Sequence, residues 1–203
     1  MQINQSTISN SEKLRPTHVE VNLTHLCENL KAIRARVAPA KVMIVLKANA
    51  YGHGMDVVAR HLAPHADYIC VAVLEEGIRL REMGIDTPIL VLGGIWEEQI
   101  PEFIKRDLTL TASSVERLTQ IDQAAEFLKK KAVVHLKIDT GMERIGVHYY
   151  SAHTLQEAAL NCKHVDVEGI YSHFANSDAA DDLTPVGVAG RVLCVPGWPP
   201  WSS

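Results

Sequence analysis

The sequence predicts an α/β fold of about six βα units, and three observations carry that expectation. Short apolar runs rich in valine, isoleucine and leucine alternate with stretches of helical spacing. The runs begin roughly 20 to 34 residues apart, the repeat length of a βα unit. Their near-continuous apolar character suits strands covered on both faces.

Residues 1–15 are polar, hold no apolar signal-peptide core, and read as a flexible leader. Leu23, Leu26, Leu30, Ile33 and Val37 then recur at intervals of three and four and predict a first helix. Predicted strands follow at Val42–Leu46, Tyr68–Val73, Ile89–Leu92, Leu108–Thr111, Val133–Ile138 and Val167–Tyr171. Between them, Glu75–Met83 predicts an amphipathic helix stopped by Gly84. Ser113 with Glu116 makes a capping-box pattern ahead of Val115, Leu118, Ile121, Ala125 and Leu128. Leu155, Ala158, Ala159 and Cys162 mark a further helical face. Such a series favours a parallel sheet, either open and doubly wound or part of a (β/α)₈ barrel. Periodicity cannot separate the two. No GxGxxG follows the first strand, which counts against a dinucleotide-binding sheet.

Composition narrows the function. Hydrophobic residues make up 47% and charged residues 22%, the balance of an ordinary globular chain of 203 residues. The net charge is -4 and the basic residues are dispersed, so neither nucleic acid nor an anionic membrane is an expected partner. No run of about 18 apolar residues predicts a membrane span. Cys27, Cys70, Cys162 and Cys194 are far apart without a CxxC pair, so reduced cysteines are expected, as in a cytoplasmic protein. No metal site is expected: His61 and His65 have helical spacing, but Pro64 interrupts the helix and no glutamate follows His61. Trp96 and Phe103 are read as packing. Val186–Ser203 breaks the pattern: it has no Asp or Glu, three Gly, three Pro and two of the three Trp. A linker and a segment foreign to the domain fit that break equally well.

Three segments at predicted strand ends carry chemistry. Val45–Gly54 (VLKANAYGHG) runs from an apolar strand into Lys47 and a small-residue loop. A lysine partly removed from water can lose its proton, and a neutral amine is what a Schiff base with an aldehyde requires. The plainer reading is a lysine that ends a strand and reaches water. Leu136–Gly146 (LKIDTGMERIG) offers Lys137, the turn-formers Asp139, Thr140 and Gly141, and Arg144, a donor suited to a phenolate or carboxylate. Its plainer reading is a charged loop with a surface ion pair. Gly169–Asn176 (GIYSHFAN) places His173 just past a strand, where it can stack on a planar ring or hold a proton. A structural histidine is the alternative there.

Taken together, these segments, in this order and spacing, resemble signature segments of the alanine racemase family. Arg15-Pro16-Thr17 leading into Val19-Glu20-Val21 is similar to the family's start, and the resemblance covers about residues 15–182. It implies a partial (β/α)₈ TIM-type barrel over residues 16–185, without the family's C-terminal β domain. The implied activity is pyridoxal 5'-phosphate (PLP)-dependent interconversion of L- and D-alanine for peptidoglycan, by a cytoplasmic homodimer. The resemblance also implies roles: Lys47 carries PLP and is one of two bases, and Tyr51 bonds the cofactor phosphate. Arg144 would donate to the phenolic oxygen, His173 would pack on the ring, and Leu92 would line the site. Lys137 matches a lysine that is carbamylated in some members. The family's second base is a tyrosine of the C-terminal domain, supplied by the partner subunit. The resemblance ends after Asp182, beside the compositional break, which favours an aberrant tail over residues 186–203 and little racemase activity from this chain alone. A PLP-homeostasis barrel and a non-catalytic remnant or interaction module are the competing expectations.

Overall fold

The computed structural model describes residues 18–175; the expected leader and the tail after Val186 lie outside the described residues. Helix α1 (Leu23–Val37) opens the described chain, with the Asn22 side chain accepting from the His25 amide as its N-cap. β1 (Met43–Val45) follows, then a single left-handed turn α2 (Lys47–Tyr51) and helix α3 (Met55–Leu62). The chain continues through β2 (Tyr68–Val71), α4 (Leu74–Glu82), β3 (Ile89–Val91), α5 (Ile100–Lys105) and β4 (Leu110–Ala112). It closes with α6 (Val115–Leu128), β5 (Ala132–Asp139), β6 (Val147–His148), α7 (Ala152–Asn161) and β7 (Val165–Tyr171).

All the strand pairs are parallel. β1, β2 and β3 are neighbours in that order, and β5 lies between β4 and β7. A Leu90–Thr109 bridge joins the two groups: the Val91 amide donates to the Thr109 carbonyl and the Thr109 amide to that of Ile89. Apart from the two-residue β6, the strands therefore stand side by side in chain order without a reversal. That order decides what periodicity left open, because a doubly wound sheet reverses its order at a switch point and a barrel does not.

The helices cover one face of this arc. Leu80, Ile100, Phe103, Leu118, Ile121 and Leu155 are fully buried against Ile69, Val71, Ile89, Val91, Leu110, Val134 and Leu136. Each such side chain contributes about 1.5–3 kcal/mol by leaving water. Alternate strand residues point the other way, toward the barrel interior. Cys70 and Leu90 are buried yet stand outside the main core cluster. The interior is polar in part: the Tyr68 hydroxyl meets Thr109 and donates to Glu168, whose carboxylate also faces His135 at 3.3 Å. A bulge in β7 makes Glu168 the extra residue between the partners of Val134 and His135, which aims it there.

Some expectations need adjustment. The strands begin at Tyr68 and Ile89 and end at Tyr171 as predicted, and their other limits lie one to two residues away. The N-cap of α6 is Ser114, which accepts from the Arg117 amide, so Ser113 and Glu116 form no capping box. Phe103 is core, but Trp96 is 73% exposed at the β3 rim and does not pack there. β6 was not foreseen; it is too short to show a period.

Candidate functional site

The first motif forms an unusual rim. From Ala48 to Tyr51 the backbone is left-handed, with φ of 53, 55, 52 and 54 degrees at four non-glycine residues. Such a conformation costs roughly 1–2 kcal/mol per residue. Hydrogen bonds hold it: the Ala50 amide donates to the Leu46 carbonyl, and the Gly52 amide to the Ala48 and Asn49 carbonyls. The Asn49 side chain accepts from the Met55 amide at 2.8 Å, fixing the turn to the start of α3. Glu76 Oε1 accepts from the Ala48 amide at 2.6 Å. Lys47 is half-buried, with Nζ 6.0 Å from the centre of the Tyr51 ring, and Tyr51 is 61% exposed. A Cβ built at Gly52 or Gly54 would meet nothing within 4 Å, so the loop leaves open space beside the turn.

The second motif sits on the most enclosed strand. Lys137 is 4% exposed; its Nζ lies 4.9 Å over the Tyr171 ring and donates to the Ile138 carbonyl. Burial pushes its ammonium down to about 8, against the smaller pull of Asp139. Burial raises the Asp139 carboxyl, but the turn's amides outweigh it and hold it below the usual range. Two of those amides, of Gly141 and Arg144, lie at 2.8 and 3.2 Å. Gly146 has φ 116 degrees, and a Cβ there would lie 2.8 Å from the Lys137 carbonyl oxygen. Only glycine lets the loop fold back so closely that Val147–His148 pairs with the end of β5.

No metal site was expected. Among the described residues, ligand atoms of Asp139, Glu143 and His148 lie within 4.8 Å of one another. The Asp139 oxygens are already engaged by the turn, and His148 Nδ1 faces Glu143 at 3.6 Å.

The third motif completes the rim. Tyr171 ends β7 with its hydroxyl 2.8 Å from that of Thr111, and burial raises its phenol to about 12. One residue further, Ser172 Oγ lies 2.6 Å from Thr140 Oγ1, which ties the second and third loops together. His173 follows. Partial desolvation lowers its imidazole below the ordinary value, and the charges of Arg144, Lys137 and Lys47 lower it further. Charges of the first and second motifs thus act on the ring of the third. Leu92 lies at the same rim, two strands from Lys47, with its amide donating to the Val71 carbonyl.

Sequence reading overlooked Glu76, the Thr140–Ser172 bond and Tyr171 as the floor beneath Lys137. Glu76 carried one signal, an acidic residue in the first turn of a helix just after a strand. The other two join residues 32 and 34 positions apart and leave no local trace.

A parallel βα arc whose longer strands stand in chain order defines part of a barrel of the TIM type. Comparisons identify the family. A family-wide profile described as "Alanine racemase, N-terminal domain" matches residues 21–187, ending beside the compositional break at Val186. The chain is 42% identical over 169 residues to the alanine racemase of Carboxydothermus hydrogenoformans, covering 83% of this chain and 46% of that protein. It is 42% identical over 176 residues to alanine racemase 2 of Caldanaerobacter subterraneus subsp. tengcongensis, covering 84% and 45%. The solved alanine racemase of Clostridium difficile superposes with a TM-score of 0.78 at 36% identity, covering 85% of this chain and 45% of that one. A second structure of that protein holds cycloserine. The chain belongs to the alanine racemase family through its N-terminal barrel domain, and it spans about half the length of the relatives it matches.

Proposed function

We propose that these residues form the PLP-binding half-site of an alanine racemase. The observation that carries this reading is that Lys47, Arg144 and His173 follow the C-terminal ends of β1, β5 and β7, on one rim of the parallel arc. A dianionic phosphate and a phenolate suit a mouth lined by cations, so the donor set fits the group. Lys47 would hold the cofactor covalently, Tyr51 would bond its phosphate, and Arg144 would donate to its phenolic oxygen. His173 would lie against the ring, Leu92 would line the pocket, and Lys137, if carbamylated as in some members of the family, would orient Arg144.

When bound, PLP supplies an electron sink that makes the substrate Cα–H acidic. The chain's own residues then divide the remaining work. Lys47 takes or returns a proton at Cα from one face. Arg144 sets the orientation of the ring, and the Asp139-pinned turn holds Arg144's backbone in place. Inverting the centre needs a second base on the opposite face, because one base on one face mostly restores the starting hand. The matched region is the family's N-terminal domain, and the 203 residues alone are expected to bind PLP weakly and to racemise alanine little. Alanine as substrate, D-alanine supply for peptidoglycan, a homodimer and a cytoplasmic location come with this reading. Among the described residues no helix is long and apolar enough to cross a membrane.

The test is incubation with PLP, borohydride reduction and peptide mapping. A phosphopyridoxyl label on Lys47 is expected. A label elsewhere, or none, sinks the cofactor assignment. Ready formation of D-alanine by the 203-residue protein would overturn the half-site part.

A further inference from the structure

The Glu76 carboxylate joins two rim segments just beyond the point where β1 and β2 stop pairing. Its Oε1 accepts from the Ala48 amide at 2.6 Å, the first left-handed residue after Lys47. Its Oε2 accepts from the Ala72 and Val73 amides at 2.8 and 3.4 Å, at the end of β2 and the start of α4. The second set is an ordinary helix N-terminal cap. The first is not: it reaches 28 residues back to the peptide that leaves the lysine.

We infer that Glu76 is a positioning residue for Lys47, a side-chain clamp that holds the left-handed turn against its own strain and so fixes where the amine stands. The inference rests on the reading of Lys47 as the cofactor lysine. The physical reason is directional. Left alone, Ala48 favours a right-handed or extended backbone, in which its amide points elsewhere and Lys47 swings with it. A charged acceptor is stronger than a neutral one, and here one carboxylate binds the turn to the end of β2, which is paired on both sides. β1 is the exposed edge strand of the described arc, so it has no further strand to steady its end.

The discriminating variant is Glu76→Asp, which keeps a first-turn carboxylate for the α4 dipole but is one methylene too short to span to Ala48. Hydrogen exchange is read by mass spectrometry over residues 47–54 and over α4, and borohydride-trapped label is read on Lys47. The expected result is about ten-fold faster exchange over 47–54 with α4 unchanged, and about ten-fold slower labelling, as for loss of one charge-assisted hydrogen bond. Adding Ala48→Gly should restore most of the labelling, because glycine adopts the left-handed backbone without penalty. A cap-only role predicts faster exchange in α4, no change at 47–54 and no rescue by glycine; that outcome overturns the inference. If wild-type protein takes no label on Lys47, the cofactor reading fails, and the clamp stands or falls on the 47–54 exchange alone.

Discussion

Two strand ends of this arc present a lysine, and their surroundings are opposite. Lys137 ends the enclosed β5, flanked by β4 and β7, and its ammonium is buried over an aromatic ring. Lys47 follows the exposed edge strand β1, is half-buried, and starts a strained left-handed turn. Burial alone would nominate Lys137 as the reactive amine, since it lowers that ammonium to about 8. Geometry nominates Lys47, whose turn leaves open space beside it, while Lys137 is folded down onto Ile138 and Tyr171. Burial and access to a ligand are separate properties, and here different lysines hold them.

The largest expected effect breaks or keeps that division. Lys47→Ala should abolish the covalent cofactor label, whereas Lys137→Met should leave it on Lys47. Label appearing on Lys137 in peptide maps would reverse the assignment.

Next comes Gly146→Ala, which puts a methyl against the Lys137 carbonyl at a positive φ. Unfolding in urea should show a loss of about 2–4 kcal/mol. A cost under about 0.5 kcal/mol would mean that the loop does not lie on β5.

The buried ammonium gives a pH dependence. Its value falls from 10.5 to about 8 on folding, so between those limits the unfolded chain binds more protons. Stability should therefore rise with pH there, by up to about 1.4 kcal/mol per unit. The buried Cys70 thiol, raised to about 11, and the Tyr171 phenol, raised to about 12, pull the other way at higher pH. The readout is accordingly the difference between wild type and Lys137→Met from pH 7 to 9. A flat difference would show that Lys137 is solvated.

The smallest effect is on the edge-strand side. Ala48→Gly relieves left-handed strain and should stabilise the protein by about 1 kcal/mol in thermal melts. No gain would mean that the turn is not left-handed in solution.

Much of the fold was legible because its signals are local. Apolar runs marked each long strand, and the spacing of Leu23 to Val37 marked α1 within its actual limits. Gly84 ends α4 in the left-handed conformation that a helix stop requires. The site was legible only as three separate strings. Lys47, Lys137, Arg144 and His173 were each singled out, but Glu76, Thr140 with Ser172, and Tyr171 beneath Lys137 were not. Those partners are matched across strands, and which strands become neighbours is not written in any one segment.

Sequence by itself determined the alternating α/β order, the strand-end positions of the three motifs and the family they resemble. It could do so because strand and helix periods, turn residues and motif strings act over a few residues. Tertiary structure alone decided that the strands stand in barrel order, that Lys137 rather than Lys47 is the buried amine, and that Glu76 grips the lysine's turn. Burial and cross-strand contact belong to the assembled sheet, where desolvation and hydrogen-bond reach are set by neighbours distant in sequence.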